Sequence, residues 1–257
     1  MDKSMLGKIS RLIKQVPSKS LGTLYDLLKK LASKDGEAWL EALKQFLRQE
    51  LEVVDKGLGG IFSTKKTNLI IALQEAEAFH KKAFGEEVHL SKMFALPKTL
   101  PWNELIAVFQ PAGADNRACV KAMQAVMGGN AAYEEVDVNS YSNSSASGKP
   151  RLFLIERSER PTADTMGMSP DQLIATKREF IGLGAYALAM GQYFMATGKY
   201  LDEPTWTWFP NDRLPSGYVA RGHWGPGSRQ VGFRWSRPSH GSSNAGAREA
   251  ISVPLKP

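Results

Sequence analysis

Three stripes of apolar residues recur at helical spacing near the start of the chain, within residues 5–16, 21–31 and 39–51. Each stripe is one helical face wide, so each predicted helix has to bury that face against a neighbour. Short connections favour an antiparallel helical hairpin or a small bundle. A fourth helix is predicted over residues 67–84, followed by a linker or a lead-in to the next domain over residues 85–100. The pattern therefore predicts a helical region over residues 1–96.

The apolar period changes after Pro101. Residues 104–109 (ELIAVF) form a short run with almost no polar interruption, which is typical of a strand covered on both faces. Residues 116–127 follow as a predicted helix, and residues 133–139 and 151–156 as two further strands. The succession of strand, helix and strand is typical of a βαβ-like or split unit, and the order of the strands in the sheet stays open.

The strongest local signal in the chain is a capping box at Ser169. Ser169 stands at the N-cap, Pro170 at the first helical position and Gln172 at the third, which satisfies free backbone amides and sets φ for a helix. The pattern predicts one helix from there to about Thr197, with Gly198 ending it. Its many small residues permit close packing on a sheet, so we predict that this is the central helix of the fold.

The final part of the chain alternates between strand-like segments and turn signals. This alternation predicts an antiparallel meander whose last strand is paired. The sequence as a whole predicts an α+β fold, in which the helical region precedes a second domain over residues 101–257. That domain is predicted to hold a mixed sheet, a long central helix and the C-terminal meander. The predicted meander strands are residues 205–209, 218–224, 229–235 and 249–255.

A resemblance to known sequences rests on the pieces IERSERP, TMGMSPDQL, TWTWFP, FRWS and AISVPLKP, which begin near Glu156. In these pieces the chain resembles a family of uncharacterised bacterial proteins with no assigned activity. The resemblance covers roughly residues 156–257. It implies one domain of conserved length, and it carries no activity, cofactor or site residue with it.

The two ends of the chain carry a positive net charge, and its middle carries a negative one. Of the formal net charge of +7, residues 1–66 carry +5, residues 67–204 carry −3 and residues 205–257 carry +5. The excess at the start is mostly lysine, which on amphipathic helices is usually a solvated face. The excess at the end is mostly arginine, which beside aromatic residues suits the recognition of phosphate, carboxylate or bases.

The composition narrows the class of protein and its compartment. Hydrophobic content of 42% and charged content of 23% are typical of a globular chain. The single cysteine, Cys119, excludes an internal disulfide framework and favours a reducing compartment. Neither a secretory signal nor a membrane span is predicted, since residues 180–198 are poor in Leu, Ile and Val. We expect a cytoplasmic protein, and no cofactor is predicted.

Three carboxylates could form a metal site. Glu135 and Asp137 lie two apart on the predicted strand 133–139, so they share a face, and Glu156 ends the strand 151–156. If those strands are neighbours, the three acids could bind Mg²⁺ for phosphodiester hydrolysis. The competing interpretation is a water-facing strand surface whose acids pair with nearby arginines. We favour the second interpretation, and no metal site is predicted.

The polar loop that follows Glu156 is a second candidate. Arg157, Arg160 and Asp164 lie between a buried strand and the well-capped helix, and binding residues often lie on loops that a rigid scaffold positions. The alternative is a solvated loop with an internal salt bridge, which we favour.

The third candidate is the sheet at the end of the chain, where Arg221, Arg229, Arg234 and Trp224 could bind through charge and stacking. Aromatic residues in strands are more often packed in a core, and alternation assigns at least Trp235 there. We nevertheless predict a non-enzymatic binding protein that contacts nucleic acid or an acidic protein through this basic sheet face. The alternatives are a metal-dependent hydrolase or nuclease that uses the strand carboxylates, and a helical protein-interaction module formed by residues 1–52.

Overall fold

The structure is a computed structural model that describes residues 65–129, 131–142 and 147–257, together with residues 29, 34, 37, 52–53 and 62–63. The chain divides into two compact units, Met1–Lys65 and Lys66–Pro257. In the first unit, strands β1 (Glu52–Val53) and β2 (Phe62–Ser63) pair antiparallel. Apart from a few isolated positions, the three helices predicted before residue 52 lie outside the described residues, as does the interaction module proposed there.

The second unit combines helices with two sheets, as the predicted α+β class requires. Its helices are α1 (Lys65–Phe84), α2 (Leu90–Met93), α3 (Asn116–Met127), α4 (Pro170–Ala175) and α5 (Leu183–Thr197). Its strands are β3 (Leu105–Gln110), β4 (Ala132–Glu134), β5 (Arg151–Glu156), β6 (Trp206–Arg213), β7 (Val219–Gly225), β8 (Gln230–Ser236), β9 (Ala245–Ala247) and β10 (Ala250–Val253). Two 3₁₀ turns, Val138–Ser140 and Ala163–Thr165, lie in the connections.

The first three-stranded sheet explains why its sequence is so apolar. Its order is β10-β5-β3, and both pairings are antiparallel. All six residues of β3 are buried, because helices cover both faces of the sheet. Ile106 and Val108 face α5, whereas Leu105, Ala107 and Phe109 face α1. The predicted strands 104–109 and 151–156 are confirmed, but β4 joins the other sheet, so the predicted βαβ-like unit does not form.

The packing of helix α1 places the boundary between the two units earlier in the chain than predicted. Its buried side chains Leu69, Ala72, Leu73 and Ala76 repeat at helical spacing and pack on the three-stranded sheet. The helix therefore belongs to the second unit, and the boundary lies at residue 65 instead of after residue 96. Of the two alternatives for residues 85–100, the structure agrees with a lead-in to the second unit and not with a linker, since the segment contains α2 and the fully buried Leu90 and Phe94.

The second sheet has five strands in the order β4-β8-β7-β6-β9. Strands β6, β7 and β8 form the predicted antiparallel meander, and β4 and β9 add to its two edges in parallel. The strand predicted over residues 249–255 is real and paired, as β10, but it leaves the meander for the three-stranded sheet. Alternation along a strand predicts its faces and does not determine which sheet it joins.

The predicted central helix is two helices. The capping box is present, since Ser169 and Gln172 exchange both hydrogen bonds, but α4 ends at Ala175. Lys177 takes a left-handed conformation with φ of 58°, which an α-helix does not accommodate. The chain restarts at Leu183, and Gly198 ends α5 with a φ of 71°, as predicted.

Helix α5 lies between the two sheets beside α3. Two glycines set its approach to α3, because a Cβ at Gly184 would lie 2.6 Å from Asn116 Oδ1 and a Cβ at Gly191 would lie 3.1 Å from Met123 Cα. The partners follow the same order along both helices, so α3 and α5 run parallel and their N-termini lie at one end. Among the described residues, no helix is both long and apolar enough to cross a membrane.

Candidate functional site

The three predicted carboxylates do not converge. β4 ends at Glu134, and it lies in the five-stranded sheet, whereas Glu156 ends β5 in the three-stranded sheet. The condition for a shared metal site, that the two strands are neighbours, is therefore not met. Glu135 instead accepts a hydrogen bond from the backbone N–H of Trp235 at 3.4 Å. Among the residues that the structure describes, no group of three or more His, Cys, Asp or Glu side chains could hold a metal ion.

Asp137 has a structural role that explains why the predicted strand stops early. Its carboxylate accepts the backbone N–H of Asn139 at 2.9 Å, which caps a 3₁₀ turn, and it pairs with Arg117 of α3 at 3.0 Å. The Asn139 N–H and then Arg117 lower the pKa of Asp137. Arg117 also pairs with Glu134, so these acids fasten the end of β4 to α3.

Of the three predicted loop residues, Arg157 and Asp164 form ion pairs with different partners, and Arg160 forms none with a described residue. Arg157 pairs with Glu75 of α1 at 2.7 Å, which joins β5 to the helix that covers its sheet. Asp164 accepts two hydrogen bonds from Arg178, at 2.8 and 3.2 Å. Arg160 is exposed on the loop. The internal salt bridge expected for this loop does not form among these three residues, because Arg157 and Asp164 pair with residues outside the loop.

The five-stranded sheet brings cationic and aromatic side chains to one face. Arg221 of β7 stands directly opposite Arg234 of β8 in the strand register, and directly opposed residues share a face. His223, two residues after Arg221, lies on the same face beside the ring of Trp206. β4 adds Tyr133 at the edge. We refer to Tyr133, Trp206, Arg221, His223 and Arg234 as the arginine face.

Contacts within the arginine face are between guanidinium groups and rings. The guanidinium carbon of Arg221 lies 4.2 Å from the ring centroid of Trp206, and that of Arg234 lies 5.5 Å from the centroid of Tyr133. The rings of Trp206 and His223 stack with centroids 3.5 Å apart. Tyr133 keeps 46% of its surface exposed, so its ring remains accessible to a ligand.

Two positive charges lie close together on this face. Neither Arg221 nor Arg234 has an ion pair with a described carboxylate, and Arg221 Nε is buried without a hydrogen-bond partner. Burial and then the charge of Arg234 lower the pKa of Arg221, and the charge of Glu135 partly offsets this effect. Burial and the two arginines also lower the pKa of His223 to about 4, so His223 is neutral at neutral pH.

Two of the predicted sheet residues lie elsewhere. Trp224 points to the opposite face, where it is 5% exposed in the core and stacks on Tyr200 with ring centroids 3.6 Å apart. Its prediction as a binding residue is corrected, because strand alternation places it with Val231 and not with Arg221. Arg229 lies in the turn between β7 and β8, with φ of 54°, away from the paired arginines.

Sequence reasoning missed a deeply buried ion pair. Arg248 donates two hydrogen bonds to Asp202, at 2.8 and 3.3 Å, and both side chains are almost fully buried. Asp202 also accepts from the hydroxyls of Thr205 and Thr207. The two charges are forty-six positions apart in the chain. No local pattern could have paired them, and their complete pairing indicates a structural role.

Comparisons with known proteins identify no relative of this chain. No family model, curated protein or solved structure matches the chain. The bacterial family suggested by the C-terminal pieces therefore stays an expectation, as does the cytoplasmic location. Any functional inference depends on the geometry alone.

Proposed function

We propose that the protein binds single-stranded nucleic acid through the arginine face. The observation that carries this proposal is the directly opposed pair Arg221 and Arg234, which has no ion-pair partner among the described carboxylates. Like charges opposite each other on adjacent strands are destabilising, so this placement favours an anionic ligand between them.

The aromatic part of the face supports a nucleic acid over an acidic protein. The exposed ring of Tyr133 and the ring of Trp206 border the two guanidinium groups. Phosphates can pair with arginine while bases stack on aromatic rings and guanidinium planes, whereas carboxylates need no ring nearby. An acidic protein becomes the better interpretation if polyglutamate competes as well as an oligonucleotide does.

The salt dependence of binding tests the proposal. The full chain is titrated into a labelled single strand of roughly ten nucleotides, between about 50 and about 200 mM salt. Each phosphate contact to a single strand contributes about −0.7 to the slope of log affinity against log salt concentration. Arg221→Gln and Arg234→Gln should therefore each make the slope shallower by about 0.7.

Two further variants separate charge from stacking. Lys121→Gln removes one positive charge from the exposed surface of α3, so it should leave the slope unchanged. Tyr133→Leu should weaken binding about five- to hundredfold without a change of slope, because it removes only a ring. Absence of binding at the lowest salt, or an equal effect of Lys121→Gln, would contradict the proposal.

A further inference from the structure

A cavity of about 140 Å³ lies where the N-termini of α3 and α5 meet strands β3, β5 and β6. None of its lining residues belongs to the arginine face, so it is independent of the function proposed above. A buried water needs roughly 10–15 Å³, so the cavity has room for a small molecule in place of several waters. Its lining includes Gln110, Asn116, Arg151, Gly184 and Asp212.

The backbone at the cavity offers hydrogen-bond donors. The first helical hydrogen bond of α5 runs from the N–H of Tyr186 to the carbonyl of Gly182. The N–H groups of Gly184 and Ala185 belong to the first turn, where no helical carbonyl is available to them. Since α3 and α5 run parallel and start at the same end, the positive ends of two helix dipoles meet here.

Two charged side chains that line the cavity have unused hydrogen-bonding atoms. Asp212 is 1% exposed, and its Oδ2 accepts the N–H of Leu183 at 2.9 Å, but its Oδ1 has no partner. Arg151 donates from Nη2 to Gln110 at 2.9 Å, whereas its Nε is buried without a partner. A buried charged group with an unsatisfied atom is costly, and a bound ligand can supply the missing partner.

We propose that this cavity binds a small carboxylic acid that carries a hydroxyl or amino group next to its carboxylate. The carboxylate accepts hydrogen bonds from Arg151 and from the N–H groups of Gly184 and Ala185. The hydroxyl or amino group donates to Asp212 Oδ1. One ligand of this class satisfies both the unpaired donor and the unpaired acceptor.

The charges exclude simpler ligands. An inorganic anion without a proton, such as chloride or sulfate, would satisfy Arg151 and the helix amides, but it would lie beside Asp212 and leave Oδ1 without a donor. A simple cation would pair with Asp212 and Glu179, which both line the cavity, but it would leave Arg151 Nε without an acceptor. A ligand that carries an acceptor and a donor close together matches both parts of the lining.

Lactate, alanine and propionate test the proposal, because they have similar sizes and only the first two carry a donor beside the carboxylate. Binding to the full chain is measured by isothermal titration calorimetry, together with the backbone amide NMR shifts of Gly184 and Ala185. Lactate or alanine should bind saturably and move those two amides. Propionate should bind at least about tenfold more weakly, since it cannot donate to Asp212.

Variants of two residues that line the cavity test the proposal further. Asp212→Asn keeps the size of the side chain and an acceptor for Leu183, and it should weaken lactate binding about ten- to hundredfold. Arg151→Lys should do the same, whereas Arg160→Lys, on the exposed loop, should have no effect. If neither lactate nor alanine binds saturably, the cavity holds water only and the proposal is overturned. Equal binding of propionate would also overturn it, and that comparison needs no variant to fold.

Discussion

At the scale of single residues, Arg221 and Arg234 place like charges directly opposite each other on adjacent strands, which is destabilising. Of the two, Arg234 could be replaced by an uncharged strand former without disturbing the core, because it is exposed and β8 buries its other face. Their repulsion persists in the absence of a ligand, since no described carboxylate pairs with either. The pair should therefore reduce the stability of the free protein.

Arg234→Thr should raise the free energy of unfolding by roughly 0.2–1 kcal/mol, because it removes a like-charge pair across adjacent strands. The same variant should weaken nucleic-acid binding. Urea denaturation of the free protein measures the first effect, and Arg234→Glu, which creates an opposite-charge pair with Arg221, provides the matched comparison. A loss of stability in Arg234→Thr would mean that the contact of the guanidinium with Tyr133 outweighs the repulsion.

Asp212 gives a second prediction at this scale. Burial raises its pKa from 3.8 to about 6, so the folded state binds a proton more tightly than the unfolded state does. Its contribution to stability is complete below about pH 4 and is lost as the pH rises through about 6, a change of about 3 kcal/mol. Asp212→Asn lacks this titration, so the stability difference between wild type and variant should change by that amount. Urea denaturation between about pH 4 and about pH 7 measures it, and a difference independent of pH would contradict the prediction.

At the scale of elements, the close contact between α3 and α5 depends on glycine where a helix ordinarily favours alanine. A Cβ at Gly191 would lie 2.8 Å from Phe79 Cε2 and 3.1 Å from Met123 Cα, so the backbone of α3 leaves no space for it. Alanine is normally the more stable residue inside a helix. Packing therefore predicts that Gly191→Ala destabilises the protein, whereas helix propensity predicts that it stabilises the protein.

Gly191→Ala should destabilise the protein by about 1–3 kcal/mol, because overpacking outweighs the gain in helix propensity. Thermal and urea denaturation measure the change. Ala196→Gly, at an exposed position of α5, should cost up to about 1 kcal/mol through propensity alone. If Gly191→Ala instead stabilised the protein, the helices would have to be further apart than the structure places them.

Features that depend on neighbouring residues could be predicted from the sequence, whereas pairings between distant segments could not. The bounds of α3 and β5, and the capping box at Ser169, depend on neighbouring residues and were predicted correctly. The metal hypothesis for Glu135 and Asp137 failed because Asp137 turns the chain away from β4, and alternation alone does not show this. The arginine face needed the register of β7 against β8, which places Arg221 opposite Arg234.

At the scale of the whole molecule, α1 should be essential for the second unit to fold. Residues 65–257 should unfold cooperatively, because the three hydrophobic clusters of the described residues lie within them. Residues 101–257 should not, since the loss of α1 exposes the face of β3 that carries Leu105, Ala107 and Phe109. Thermal denaturation followed by near-ultraviolet circular dichroism compares the two chains. A cooperative transition in the shorter one would support the boundary predicted from the sequence.

The late position of β10 in the chain has a consequence for synthesis on the ribosome. β5 lies between β3 and β10, but β10 leaves the ribosome after all the other strands. One edge of β5 therefore stays unpaired while residues 157–249 are synthesised, and an unpaired edge can pair with other chains. The nascent protein should be most prone to aggregation during this interval, and most dependent on chaperones, until residues 250–253 close the sheet.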